Sequence, residues 1–136
     1  MNRHPAPTGS SEFPPGVIAE AARLGRLLTM EIEFSLRCNF RCPYCYVPGK
    51  EQSQDELSVE EIRSAILQAR ALGASRIIVL GGEPTIYPAT PELLEFMREN
   101  GLEVELFTNG TGVTAEFAAM LHRHQVRVAL KMNAFD

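Results

Sequence analysis

The sequence predicts an α/β fold in which an N-terminal helix is followed by the order β-α-β-α-β-α-β. Four apolar, strand-like runs alternate with segments of helical pattern. This alternation is typical of parallel sheets with right-handed crossovers. Cysteine, glycine and asparagine motifs follow directly after the strand-like runs, where the active sites of βα-barrels and open α/β sheets lie.

The first part of the chain predicts a tail, a helix, a strand and a loop. Residues 1–15 are rich in Pro and Ser and are predicted to form a disordered tail. A segment of helical composition then extends to Leu24. Residues 30–36 predict the first strand, and residues 37–55 predict a loop that becomes polar after its cysteines.

A capping box starts the helix that follows this loop. Ser58 and Glu61 form the Ser-x-x-Glu pair of such a box, and Gly73 is suited to end the helix. Residues 76–80 form a nearly continuous apolar run. Runs of this kind are typical of parallel strands buried on both faces.

The remaining elements repeat the same pattern. Pro91 begins a helix that ends near Asn100. Residues 104–107 predict the third strand, Thr114 caps the third of these crossover helices, and residues 126–132 predict the fourth strand.

Charge and hydropathy exclude two classes of function. The net charge of −4, without a Lys/Arg cluster, predicts no nucleic-acid binding. No apolar run is long enough to span a membrane, and residues 1–15 lack the apolar core of a signal peptide. We therefore expect a cytoplasmic protein without a membrane partner.

The three cysteines, Cys38, Cys42 and Cys45, all lie within one short segment. Their spacing suits a loop wrapped around a metal cluster with one coordination position left open. In a reducing compartment, cysteines at ligand spacing favour a metal over disulfides. The alternative is a zinc site, which needs a fourth ligand from one of the histidines: His4, His122 or His124.

The segment LRCNFRCPYCY at 36–46, GGEP at 81–84 and TNG at 108–110 each follow a predicted strand. Together they resemble the radical S-adenosylmethionine (SAM) superfamily. Their style is similar to the members that synthesise molybdenum cofactor and to peptide maturases of the SPASM type. The resemblance implies a partial TIM-type barrel in which residues 16–136 form the N-terminal part, truncated after strand four.

The family's chemistry is implied by the same resemblance. Cys38, Cys42 and Cys45 would ligate a 4Fe–4S cluster whose fourth iron chelates SAM. Reductive cleavage of SAM would give a 5′-deoxyadenosyl radical that abstracts hydrogen from a small-molecule or peptide substrate, such as a cofactor precursor. A flavodoxin or ferredoxin would donate the electron.

The GGEP segment is implied to bind the cofactor. Gly81 and Gly82 lack a Cβ and so permit close approach of a ligand to the backbone, and Pro84 fixes the exit of the chain. Glu83 offers an acceptor near the methionyl ammonium group. The alternative is a tight turn with a solvated glutamate.

Four further positions are implied to touch the cofactor. Tyr44 occupies the family's adenine-side position, with simple packing on the loop as the alternative. Asn109 contacts the cofactor or serves only as a turn residue. Lys131 and Asn133 stand where many relatives carry Ser-x-Asp, and Lys131 could instead be an ordinary charge at a strand end.

Two other readings of the chain remain open. One is an enzyme of the glycyl-radical-activating type, with a partner protein as substrate. The other is a non-catalytic module in which the cysteines hold zinc or a structural cluster. Glutamates also alternate on two strands, and their positions near the strand starts predict that they lie far from the cofactor: Glu31, Glu33, Glu103 and Glu105.

Overall fold

The computed structural model describes residues 12–46 and 55–131. Most of the predicted tail, the later part of the cysteine loop, and Asn133 lie outside the described residues. The helices and strands, in chain order, are α1 (Pro15–Leu24), β1 (Thr29–Glu33), α2 (Val59–Ala71), β2 (Arg76–Leu80), α3 (Thr90–Glu99), β3 (Glu103–Thr108), α4 (Ala115–Arg123) and β4 (Arg127–Leu130).

The four strands form one parallel sheet in the order β1-β2-β3-β4. In its register, Ile77 pairs with Met30 on one side and with Val104 on the other. Sequential order with parallel pairing requires a crossover between each pair of neighbours, and α2, α3 and α4 provide them. The predicted α/β fold is therefore confirmed.

The sheet has one face covered by helices. Strand residues Ile77, Val79 and Leu106 pack there against α2 and α3, and all three are fully buried. Because side chains alternate along a strand, the next residues point to the opposite face. That second face carries Glu31, Glu33, Ile78, Leu80, Phe107 and Lys131.

Local signals explain where the crossover helices begin. The hydroxyl of Ser58 accepts a hydrogen bond from the Glu61 backbone N–H, and the Glu61 carboxylate accepts one from the Ser58 backbone N–H at 2.8 Å. This is the predicted capping box. Thr114 likewise accepts a hydrogen bond from the Phe117 backbone N–H at 3.1 Å and caps α4.

The first strand ends earlier than the sequence predicts. It stops at Glu33, and the chain beyond it bonds to the segment after β2 instead of extending the ladder. The Ser35 carbonyl accepts from the Gly82 N–H at 3.0 Å, and the Arg37 carbonyl accepts from the Glu83 N–H at 2.8 Å. A short 3-10 helix at Pro84–Ile86, which the sequence pattern does not reveal, follows this contact.

The N-terminal helix α1 contributes little to the core, since Ala21 is its one buried residue. Just before it, the ring of Phe13 stacks 4.6 Å from the guanidinium of Arg76 at the start of β2. No helix in the described part of the chain is both long and apolar enough to cross a membrane.

Candidate cofactor site at the carboxyl ends of the strands

An open cavity of about 490 Å³ lies where β1, β2 and β3 end. Parallel strands bring their carboxyl ends to one edge of the sheet, so the loops that follow them meet there. Sixteen residues line the cavity: Glu31, Glu33, Cys38, Phe40, Cys42, Tyr44, Cys45, Tyr46, Leu80, Gly81, Gly82, Glu83, Phe107, Thr108, Asn109 and Lys131. Most of the site residues predicted from the sequence are thus brought together.

The three cysteines line this cavity, are half-buried and form no disulfide. Their loop is folded by its own backbone: the Cys45 N–H donates to the Cys42 carbonyl at 3.0 Å. The Phe40 N–H donates to the sulfur of Cys38 at 3.4 Å. A hydrogen bond to sulfur stabilises a thiolate and helps to set the potential of a bound cluster.

Three cysteine thiolates from one loop are a donor set that suits an iron–sulfur cluster, because thiolates are soft ligands for iron. Among the described residues, no group of three His, Cys, Asp or Glu side chains is arranged to hold a metal ion. His124, a candidate fourth zinc ligand, follows α4 at the opposite end of the sheet and lies 3.3 Å from Glu95.

The two glycines after β2 lie in close contact with the backbone of residues 35–37. A Cβ added at Gly82 would lie 2.0 Å from the Arg37 carbonyl oxygen. A Cβ added at Gly81 would lie 2.6 Å from the Ser35 carbonyl oxygen, and Gly81 has a φ of +119°. On the side where a Cβ would stand, both glycines therefore lie against the chain's own backbone at the entrance of the cysteine loop.

The carboxylate of Glu83 is buried, with 3% of the residue exposed. One oxygen accepts from the Thr85 N–H at 3.0 Å and the Thr85 hydroxyl at 2.6 Å, and also from the Thr108 hydroxyl. The other accepts from the Asn109 N–H at 2.7 Å. Glu83 therefore connects the segment after β2 with the end of β3.

Asn109 connects the end of β3 with the cysteine loop. Its side-chain amide donates to the Asn39 oxygen at 3.0 Å. Its own side-chain oxygen accepts from the Thr111 N–H and hydroxyl, and the Asn39 amide donates to the Thr111 hydroxyl at 2.7 Å. Asn109 therefore serves as a turn residue, and it also lines the cavity.

Two tyrosines flank the last cysteine. Tyr44 is 63% exposed and lines the cavity. The hydroxyl of Tyr46 donates to the carboxylate of Glu33 at 2.5 Å. Partial burial, the hydrogen bond to Glu33 and the negative charge of Glu33 raise the pKa of Tyr46 to about 12, although the residue is 63% exposed.

The expectation that Glu31 and Glu33 lie far from the cysteines is wrong. Both line the cysteine cavity, because β1 ends at Glu33 and not at Leu36. Glu103 follows the expectation better, since it forms an ion pair with Arg76 at 2.8 Å near the strand starts.

Of the remaining predicted site residues, one lines the cavity, one does not, and one lies outside the described residues. Lys131 lines the cavity, and its N–H donates to the Thr108 carbonyl at 2.9 Å. Pro84 is buried behind the cavity at the start of the 3-10 helix, where its carbonyl accepts from the Thr90 hydroxyl at 2.6 Å. Asn133 lies outside the described residues.

The sequence did not indicate Asn39 or Tyr46 as site residues, and Glu33 was expected to lie away from the site. Asn39 and Tyr46 stand inside or next to the cysteine motif, so proximity in sequence could have indicated them. Glu33 could have been found only if the end of β1 had been placed correctly, because a shift of a few residues changes which side chains lie at the loop edge.

Comparison with known proteins reveals relatives in both sequence and structure. The PqqA peptide cyclase of Streptomyces rochei is 40% identical over 98 residues, which cover 71% of this chain and 27% of that protein. A probable GTP 3′,8-cyclase of Pyrococcus abyssi is 33% identical over 115 residues, which cover 84% of this chain and 38% of that protein. The chain thus spans well under half the length of these relatives.

The fold also matches a solved structure. The crystal structure of Streptococcus suis SuiB bound to S-adenosylmethionine superposes with a TM-score of 0.69 at 20% identity, covering 96% of this chain and 32% of that one. The model of the radical SAM superfamily matches residues 32–136. This chain belongs to the radical SAM superfamily.

Proposed function

We propose that the cavity holds a 4Fe–4S cluster on Cys38, Cys42 and Cys45, with SAM on the cluster's open iron. The observation that carries this proposal is that three cysteine thiols from one loop and the glycine-rich segment after β2 meet at one cavity. The cysteine set leaves one of four irons without a protein ligand. Bound there, the reduced cluster would supply the electron that cleaves SAM to a 5′-deoxyadenosyl radical for hydrogen abstraction from the substrate.

The chain's own residues position the cofactor. Gly81, Gly82 and Glu83 present the segment after β2 to the cavity, and Tyr44 offers an exposed ring for stacking on a base. Lys131 supplies a cation that suits a carboxylate. Pro84 holds the turn from behind, and Asn109 reaches the same edge through the loop after β3. We include Asn133 in this set from the sequence alone, since it lies outside the described residues.

The substrate is a peptide or a small molecule, in keeping with the peptide cyclase and the GTP cyclase among the relatives. The second face of the sheet would face it, because that face opens into the cysteine cavity. An external donor such as flavodoxin or ferredoxin would reduce the cluster, and the protein would act in the cytoplasm, where such donors and reduced thiols occur. These proposals concern the whole protein.

The test is electron paramagnetic resonance of the anaerobically reconstituted, reduced protein, recorded with and without SAM. We expect a reduced 4Fe–4S signal whose g-values shift on addition of SAM, and the loss of that signal in Cys42→Ala. Zinc binding without any cluster would overturn the proposal in favour of a zinc module. A cluster whose signal ignores SAM would reduce the site to a structural one.

A further inference from the structure

We infer that Asn39, Glu83 and Asn109 are positioning residues that hold the cysteine loop in place before any metal binds. We call the network of these three residues with Thr108 and Thr111 the interloop clamp. It connects three loops that are distant in sequence, namely those following β1, β2 and β3. The inference deepens the proposed function and rests on it for the identity of the cluster.

Glu83 is the hub of the clamp. A carboxylate can only accept hydrogen bonds, and both oxygens of this one face donors from the protein. Burying a carboxylate is costly unless such donors compensate for lost water, and here they come from Thr85, Thr108 and Asn109. A side chain committed in this way fixes the distance between the segment after β2 and the end of β3.

Asn39 carries the clamp into the cysteine motif. It sits directly after Cys38, and its amide group makes contacts with both Asn109 and Thr111. One side-chain group thus fastens the loop at its first cysteine. Between the later cysteines, the Cys45 N–H donates to the Cys42 carbonyl at 3.0 Å within the same loop.

The glycine contacts support the same conclusion by an independent route. The backbone at residues 35–37 lies so close to Gly81 and Gly82 that any Cβ there would clash. A third close approach joins the loop after β3 to the segment after β2, since a Cβ at Gly112 would lie 2.4 Å from the Thr85 hydroxyl oxygen. Close packing of backbone on backbone leaves little freedom to the entrance of the cysteine loop.

The first experiment measures amide hydrogen exchange in the metal-free protein, for the wild type, Asn39→Ala and Asn100→Ala. Asn100 is a matched control, because its side-chain amide donates to the Phe96 carbonyl at 2.8 Å, away from the site. We expect exchange in peptides that span residues 36–46 to become about three- to tenfold faster in Asn39→Ala, from the loss of one or two hydrogen bonds. The melting temperature should stay unchanged, and Asn100→Ala should leave these peptides unaffected.

Exchange in residues 36–46 that is equally fast in the wild type and in Asn39→Ala would overturn the inference. A lower melting temperature together with faster exchange throughout the chain would also overturn it, because Asn39 would then stabilise the whole fold and not the cysteine loop. Neither outcome depends on a cluster. Failure of the proposed function, seen as a wild type that takes up no iron, is therefore distinguishable from failure of the clamp.

The second experiment separates positioning by Glu83 from direct contact with SAM. In Glu83→Gln, an NH2 group replaces one carboxylate oxygen. This NH2 group cannot accept the hydrogen bonds that the oxygen accepts from N–H or O–H groups. We expect faster metal-free exchange in the peptides of residues 36–46 and 108–113, and a changed reduction potential of the reconstituted cluster. Weaker SAM binding with unchanged metal-free exchange would instead assign Glu83 to the cofactor and overturn its positioning role.

Discussion

The helix-covered face of the sheet and the loop edge at its carboxyl ends are held by different forces. On the helix-covered face, fully buried apolar side chains such as Ile66, Ile77 and Leu93 pack without polar partners. At the loop edge, the buried contacts are polar, and they centre on Glu83. Apolar packing is roughly proportional to area and non-directional, whereas hydrogen bonds have preferred distances and angles. The first region therefore stabilises the fold, and the second fixes positions.

The largest expected effect is on the helix-covered face. Ile66→Ala removes a side chain with 0% exposure and should lower the free energy of unfolding by about 2–5 kcal/mol. Urea denaturation measures this loss. The neighbouring Leu67 is 41% exposed, so Leu67→Ala is the matched control and should cost far less. Equal losses would mean that this face is not the main source of stability.

An intermediate effect is expected at the loop edge from Gly82→Ala. The new Cβ would collide with the Arg37 carbonyl oxygen, so the backbone must shift at a cost of about 1–3 kcal/mol. Iron uptake during anaerobic reconstitution should fall strongly, whereas the melting temperature should fall only slightly. Gly16→Ala in α1, where nothing lies within 4 Å of the new Cβ, is the control and should be neutral or slightly stabilising. Full iron uptake by Gly82→Ala would show that the loop tolerates displacement.

The smallest effect concerns protonation at the same edge. Burial and the contact with Glu33 raise the pKa of Tyr46 from 10.0 to about 12. In Glu33→Gln we expect this pKa to move back toward 10, because the negative charge that disfavours the tyrosinate is removed. Titration of tyrosinate absorbance measures it, with Glu31→Gln as the control.

The same pair has a defined effect on stability. The raised folded-state pKa means that the pair's contribution is fully present below about pH 10, where the unfolded tyrosine titrates, and is lost as pH rises through about 12. An alkaline unfolding profile that is identical in the wild type and Glu33→Gln would contradict this coupling.

Much of the architecture was predictable from local patterns. The capping box at Ser58 and Glu61, the apolar run of β2 and the Thr114 cap each indicated their elements because the signal lies within a few neighbouring residues. The order of strands and helices then implied the parallel sheet. The end of β1 was placed wrongly, because it is set by bonds to the segment after β2, which is distant in sequence.

The candidate site was predictable in its cysteines and its glycine-rich segment, but not in the connections between them. Cysteine spacing and the GGEP segment placed Cys38 and Gly82 at one edge of the sheet, as the structure has them. The link from Glu33 to Tyr46, by contrast, joins residues on separate elements whose distance no pattern fixes. The hydrogen bonds of Glu83 to Thr108 and Asn109 likewise join residues that are distant in sequence.

The sequence by itself determined the order of the elements, the parallel sheet and the cluster of cysteines with the glycine-rich segment, because periodicity, caps and motif spacing are properties of neighbouring residues. Only the tertiary structure decided that backbone fills the space beside Gly82, that Glu83 meets donors from two loops and that Asn39 reaches Thr111. These contacts depend on how separate loops approach at the ends of parallel strands, and that approach is set by the packing of the whole sheet and its helices.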